Sequence, residues 1–197
     1  MSVSMADAPA PAQAPAGSAS LVQRLARSEP EALEELIALH QHRVRALAGR
    51  LLGWNDGVDD VVQDVFVRVV ENVGRFRGQS RLDTWITRIT INCCRSWHRR
   101  RRTGQFHLPR WWNQQAQVGI DTVQSDLAAD ESTRLVRQAV RELPRRYREV
   151  VVLRYLEEYS VTEIAELLKT RPNTVNVRLS RARQQLRQIL GPQDYKC

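Results

Sequence analysis

Three acids, Asp59, Asp60 and Asp64, crowd into the stretch "VDDVVQD", and carboxylates so close together invite a divalent metal and phosphodiester hydrolysis. That chemistry is incomplete. The three share a helix whose other side is apolar, and no histidine or further acid cluster is placed to complete a site. Cys94 and His98, one helical turn apart, make half a zinc site in the same sense. No second ligand pair stands nearby, so a packed thiol is the simpler expectation. No catalytic residue, metal or cofactor is called for. The remaining polar clusters bind rather than react: "DTWITRITINCCRSWHRRRR" ends in Arg99, Arg100, Arg101 and Arg102, and "PNTVNVRLSRARQQLR" presents asparagine and arginine at helical spacing.

The bulk charge agrees. Across 197 residues, 30 Lys and Arg oppose 22 Asp and Glu, a formal net charge of +8, which points to a polyanionic partner, nucleic acid or anionic lipid. No apolar run approaches the roughly 20 residues that span a bilayer, and Arg99 to Arg102 lack the adjacent amphipathic face that would anchor them on one. The start, "MSVSMADAPAPAQAPAGSAS", has neither the basic beginning nor the apolar centre of an export signal and reads as a disordered tail. Three cysteines, two of them adjacent, give no disulfide framework, which fits a reducing cytoplasm.

Helices must position these groups, because apolar residues recur at three-four spacing and the alternation of half-buried strands is missing. The first spans Glu29 to Leu52, with Leu33, Leu36, Ile37, Val44, Leu47, Leu51 and Leu52 inward, Ser28 as cap and Pro30 in the first turn. In "GVDDVVQDVFVRVVENV" the valines favour a strand by propensity. Their spacing instead predicts a helix burying Val58, Val61, Val62, Val65, Phe66, Val69, Val70 and Val73. From Asp56 to Val73 there are five acids and one base, so this helix has an acidic outer face, either merely solvated or a docking surface. The next helix puts Trp85, Ile86 and Ile89 inward and Thr87, Arg88, Asn92 and Arg95 outward, with Trp97 packed. A polar stretch containing Trp111 and Trp112 follows as a linker.

Leu135, Ala139, Val140 and Leu143 then mark one helix, and Tyr147, Val150, Val151 and Leu153 another. In "YSVTEIAELLKTRPNTVNVRLSRARQQLRQIL", Ser160 and Glu163 form a capping box, "KTRP" breaks the chain, and Pro172 starts a new helix, which is helix-turn-helix grammar. Val175, Leu179, Ala182 and Leu186 fall on one side of the last helix; Asn173, Asn176, Val177, Ser180, Arg181 and Gln184 spread over the other. Six bases and no acid lie between Leu167 and Gln193, which points to DNA. The fold is therefore expected to be all-α, two small helical domains joined by a flexible linker.

Two stretches resemble one family, the bacterial sigma factors of the extracytoplasmic-function (ECF) group, whose members contain the second and fourth conserved regions of the sigma-70 family. "DDVVQDVFVRVVENVGRFRG" and "TWITRITINCCRSWHRRRR" carry the first match; "LPRRYREVVVLRYLEEYSVTEIAELL" and "NTVNVRLSRARQQLR" carry the second. The resemblance divides the chain into a tail (residues 1–20), region 2 (21–102), a linker (103–128), region 4 (129–190) and a C-terminal tail (191–197). It implies a factor without catalysis or cofactor that binds core RNA polymerase, brings it to promoters in the bacterial cytoplasm and nucleoid, and helps open the duplex.

The resemblance also assigns roles. Asp59, Asp60, Gln63, Asp64 and Phe66 would lie on the clamp helices of the largest polymerase subunit. Opening a duplex means flipping a base, which costs about a few kcal/mol and is offset by stacking and edge contacts. The loop "GRFRGQSRLD" would capture that base of the downstream promoter element with Arg75, Phe76, Arg77, Gln79 and Ser80, although Phe76 equally suits a core anchor. Arg88, Asn92 and Arg95 would face DNA, and Arg99, Arg100, Arg101 and Arg102 would track phosphates. Asn176, Val177, Ser180 and Arg181 would meet the upstream element in the major groove, with Asn173 a further contact on the same outward arc and Arg171, Thr174 and Arg178 on phosphates. An anti-sigma protein wrapping both modules is a further implied partner.

Lys169 stands where the family often has glycine, Asn176 where a basic residue is common, and Thr87 and Thr90 where an aromatic residue and an alanine are unsurprising, which bears on promoter preference. The main rival is a dimeric helix-turn-helix regulator that binds DNA without polymerase. It predicts a sensor domain where residues 21–102 show charged helices.

Overall fold

A computed structural model of the chain describes residues 21–25, 27, 29–54, 57–76, 78, 80–103 and 131–191. The expectations for the tails, the linker with Trp111 and Trp112, Ser28, Asp56, Arg77, Gln79 and Cys197 lie outside these residues. After a helical stretch at residues 21–25, seven α-helices carry the described fold, and no strand occurs among the described residues: α1 (Pro30–Leu52), α2 (Val58–Val73), α3 (Leu82–Thr103), α4 (Glu131–Glu142), α5 (Arg145–Val151), α6 (Val161–Leu168) and α7 (Pro172–Leu190). A π-helical stretch, Val152–Leu156, continues α5.

Helices α1, α2 and α3 pack pairwise into one unit. Leu36, Leu47, Leu51 and Leu52 of α1 meet Val61, Val65 and Val69 of α2 and Ile86 and Ile91 of α3 in its core, all of them 3% exposed or less. The valines of α2 are thus helical, as their spacing predicts. Val70 is not part of the stripe: it is 45% exposed, because it sits roughly 40° beyond Phe66 around a helix of 3.6 residues per turn. Ala32 and Ala48, fully buried, extend the α1 stripe and let the helices approach closely. Glycine is obligatory at Gly57, where a Cβ would stand 2.2 Å from the Trp97 indole.

In the second unit α7 lies across α4, α5 and α6, with Leu143, Val150, Leu153 and Ile164 at 1% exposure or less. Leu135, expected inward, is 43% exposed beside Val136 at 50%. It precedes the point at which α4 meets its neighbours through Ala139 and Val140. The two units are in contact, α1 lying against α5 and the π-helical stretch. Among the described residues no helix is long and apolar enough to cross a membrane.

Candidate nucleic-acid interface

The helix-turn-helix is built by local rules. Ser160 Oγ accepts the Glu163 backbone N–H at 3.2 Å, and Glu163 Oε2 accepts the Ser160 N–H at 2.8 Å, closing the expected capping box. These hydrogen bonds hold the Glu163 carboxyl below its ordinary value. At the other end of α6, Lys169 adopts a left-handed conformation, φ 52°, where a glycine carries no Cβ penalty. Pro172 then opens α7. Val175, Leu179 and Ala182 are buried and Leu186 packs beside them. The opposite arc presents Asn173, Asn176, Val177, Ser180 and Arg181 to solvent, with Arg171 exposed at the entrance and Thr174 and Arg178 half-buried on its flanks. Amides and a guanidinium on one exposed face suit base edges, and Val177, an apolar residue 42% exposed, suits a thymine methyl.

In the first unit the candidates divide. Arg75, Asn92, Arg99, Arg101 and Arg102 are exposed, and Arg88 and Ser80 are half-buried. Phe76 packs against the core and meets Trp85 with ring centroids 5.2 Å apart, the anchoring alternative for this residue. Arg100 Nη2 binds Asp64 Oδ2 at 2.7 Å. Thr87 and Arg95 do not face outward. Thr87 is 3% exposed and accepts a hydrogen bond from the Tyr159 hydroxyl at 3.1 Å, while Arg95 donates through Nε and Nη2 to the Glu149 carboxylate at 3.1 and 2.7 Å. Tyr159 and Glu149 belong to the second unit, which covers this part of α3.

On α2, Asp60 and Gln63 are exposed, and Asp59 pairs with Arg45. The Asp64 side chain is only 16% exposed, so the acidic face is partly tied down. Phe66, expected to contact a partner, is 7% exposed in the core; it supports the face from below.

Sequence reasoning missed the clasp between the units. Besides the Glu149 and Tyr159 contacts, Arg50 Nη1 meets Glu157 Oε1 at 2.6 Å. Arg148 spans the boundary: it donates to the carbonyls of Val140, Arg141 and Leu143 and, across the units, to that of Leu51 at 3.3 Å. The Arg148 guanidinium lies where a Cβ on Gly53 would be, 2.6 Å away. Hydrogen bonds donated to Glu149 raise the Arg95 pKa against the opposing cost of burial. Burial, then the neighbouring Arg145 and Arg148 charges, lowers that of His98. One sign was readable: Glu149 is an acid between Tyr147 and Val150, both buried, and a buried acid needs a partner. Cys93 and Cys94 are packed in the core; burial pushes the Cys93 thiol up to about 11 and the Cys94 thiol higher still, which opposes the thiolate a metal requires.

Two family models match this chain: Sigma-70 region 2 over residues 36–103 and Sigma-70, region 4 over residues 133–186. The ECF RNA polymerase sigma-E factor of Haemophilus influenzae is 28% identical over 180 residues, 88% of this chain and 95% of that protein. The ECF RNA polymerase sigma factor SigW of Bacillus subtilis is 26% identical, over 86% of this chain and 94% of its own. Among solved structures, CnrH in complex with the cytosolic domain of CnrY superposes with a TM-score of 0.59 at 27% identity, covering 87% of this chain and 95% of that one. With both regions matched in order, on two helical units of the kind described, the chain belongs to the sigma-70 family, in its ECF group.

Proposed function

We propose that this chain is an alternative sigma factor that seats on core RNA polymerase through the Asp60 and Gln63 face of α2 and reads promoters with both units. The upstream (−35) element is read by Asn176, Val177, Ser180 and Arg181 of α7, and Arg171, Asn173, Thr174 and Arg178 hold register. The downstream (−10) element is recognised and melted by the loop after α2, from Arg75 to Ser80, and by Asn92, Arg88 and the Arg99 to Arg102 run of α3. Arg95 joins that surface once Glu149 has released it, and Asp59 and Asp64 join the polymerase face in the same way. The factor works in the bacterial cytoplasm, catalyses nothing itself, and is a candidate for capture by an anti-sigma protein. The observation that carries this reading is the α7 arc, a polar and basic face left open by a helix whose other side is buried at Val175, Leu179 and Ala182.

The test is run-off transcription with core polymerase across a promoter library. Each bidentate base contact is worth about 1 to 3 kcal/mol, so Arg181→Ala should lower transcription from the preferred promoter by about tenfold and leave polymerase association unchanged. Asp60→Lys should weaken that association while the protein stays folded. A chain that binds promoter DNA tightly alone and ignores core polymerase is a helix-turn-helix regulator instead.

A further inference from the structure

A second basic surface lies apart from the α7 arc, where the end of α3 meets the start of α5. Here an open cleft of about 500 Å³ is lined by His98, Arg101, Arg102, Pro144, Arg145 and Arg146, within the range of about 300 to 1,000 Å³ typical of small-molecule sites. Among the described residues no carboxylate lines it. We propose that this cleft binds a compact polyphosphate, a small ligand with at least two adjacent phosphate groups.

Two of the arginines are held ready. The Arg101 guanidinium lies over the Trp97 ring, 5.1 Å from its centroid, and that of Arg146 over Tyr147, 4.7 Å away. Both rings are nearly buried, 5% and 4% exposed, so each forms a fixed platform. A guanidinium held over a ring loses little side-chain freedom when an anion arrives; Arg146 also hydrogen-bonds the Tyr147 hydroxyl and offers its remaining donors to the anion. Arg102 and Arg145 are exposed beside them; Arg145 has only a loose 3.5 Å approach to Glu149. Four guanidiniums from two directions exceed what one phosphate can accept in bidentate fashion, which favours a ligand with adjacent phosphates.

The walls also argue against an extended nucleic acid. His98, Arg101 and Arg102 come from the first unit and Pro144, Arg145 and Arg146 from the second, so the cleft exists only while the units are docked. A ligand held by both walls stabilises that docked form, in which Glu149 retains Arg95 and Tyr159 covers Thr87. None of the α7 residues assigned to the upstream element lines this cleft.

Calorimetric titration of the full chain with inorganic tripolyphosphate, at about physiological salt, tests the assignment. One equivalent should bind, and orthophosphate should bind about tenfold more weakly or worse. Arg102→Ala with Arg146→Ala should weaken tripolyphosphate by about tenfold or more; Arg183→Ala with Arg187→Ala, which removes equal charge from exposed positions of α7, should change it less than about twofold. Circular dichroism of each variant confirms that the helices persist. Equal losses in both pairs, several equivalents per chain, orthophosphate binding as tightly, or a short DNA duplex bound through the same arginines with the units still docked would each overturn it.

Discussion

Breaking the clasp from either side should not cost the same. The Glu149 side chain is 6% exposed and that of Arg95 29% exposed, so removing the arginine strands a buried carboxylate, whereas removing the acid leaves a guanidinium that can turn to water. Loss of one partner from a fully buried pair costs about 3 to 5 kcal/mol. The partial exposure of Arg95 and the Arg145 approach at 3.5 Å screen this pair, so Arg95→Ala should cost about 2 to 3 kcal/mol and Glu149→Ala about 1 to 2 kcal/mol. The double variant should cost less than the sum by about 1 to 2 kcal/mol, the coupling of the pair. Urea titrations at neutral pH followed by circular dichroism give each value from midpoint and slope. Equal and additive costs would refute the reasoning, since they would mean that the pair is solvated and does not join the units.

Three further outcomes follow from other parts of the fold. Gly57→Ala places a Cβ 2.2 Å from the Trp97 indole and should lower stability by about 1 to 3 kcal/mol, read as a fall in melting temperature. Lys169→Gly relieves the left-handed backbone at the end of α6, φ 52°, and should raise the melting temperature modestly, by about 0.5 kcal/mol of stability. The third concerns pH. The folded chain holds the His98 pKa below its ordinary value of 6.5, so the unfolded chain binds more protons on acidification. The contribution of this residue is therefore fully present above the unfolded pKa and declines as pH falls through it. Melting temperature should drop from about pH 7.5 to about pH 5.5, and the drop should shrink in His98→Gln; an unchanged drop would show that His98 titrates as it does in the unfolded chain.

Where local spacing decides, the sequence was sufficient: the three-four rhythm of α2, the Ser160 capping box and the two-faced α7 all reappear in the structure. Its failures share a cause. Thr87 lies between Ile91 and Cys94 on the buried arc of α3 and Arg95 at the edge of that arc; Tyr159 and Glu149, 72 and 54 residues later, reach them across the docked units. No periodicity within one helix reports a pairing at that separation. Val70 erred for a narrower reason, since the edge of an apolar stripe is set by the neighbouring helices rather than by hydrophobicity, while Phe66 is buried as its spacing predicts.

The Asp64 to Arg100 bridge, 2.7 Å long, joins a residue proposed for the polymerase face to one proposed for promoter phosphates. A phosphate that draws the arginine away leaves the acid unmatched, and a cation that takes the acid leaves the arginine unmatched. Each arrival thereby cheapens the other, and by reciprocity it does so by one and the same factor in both directions. The bridge makes the chain a poor customer for either visitor alone and a better one for the pair.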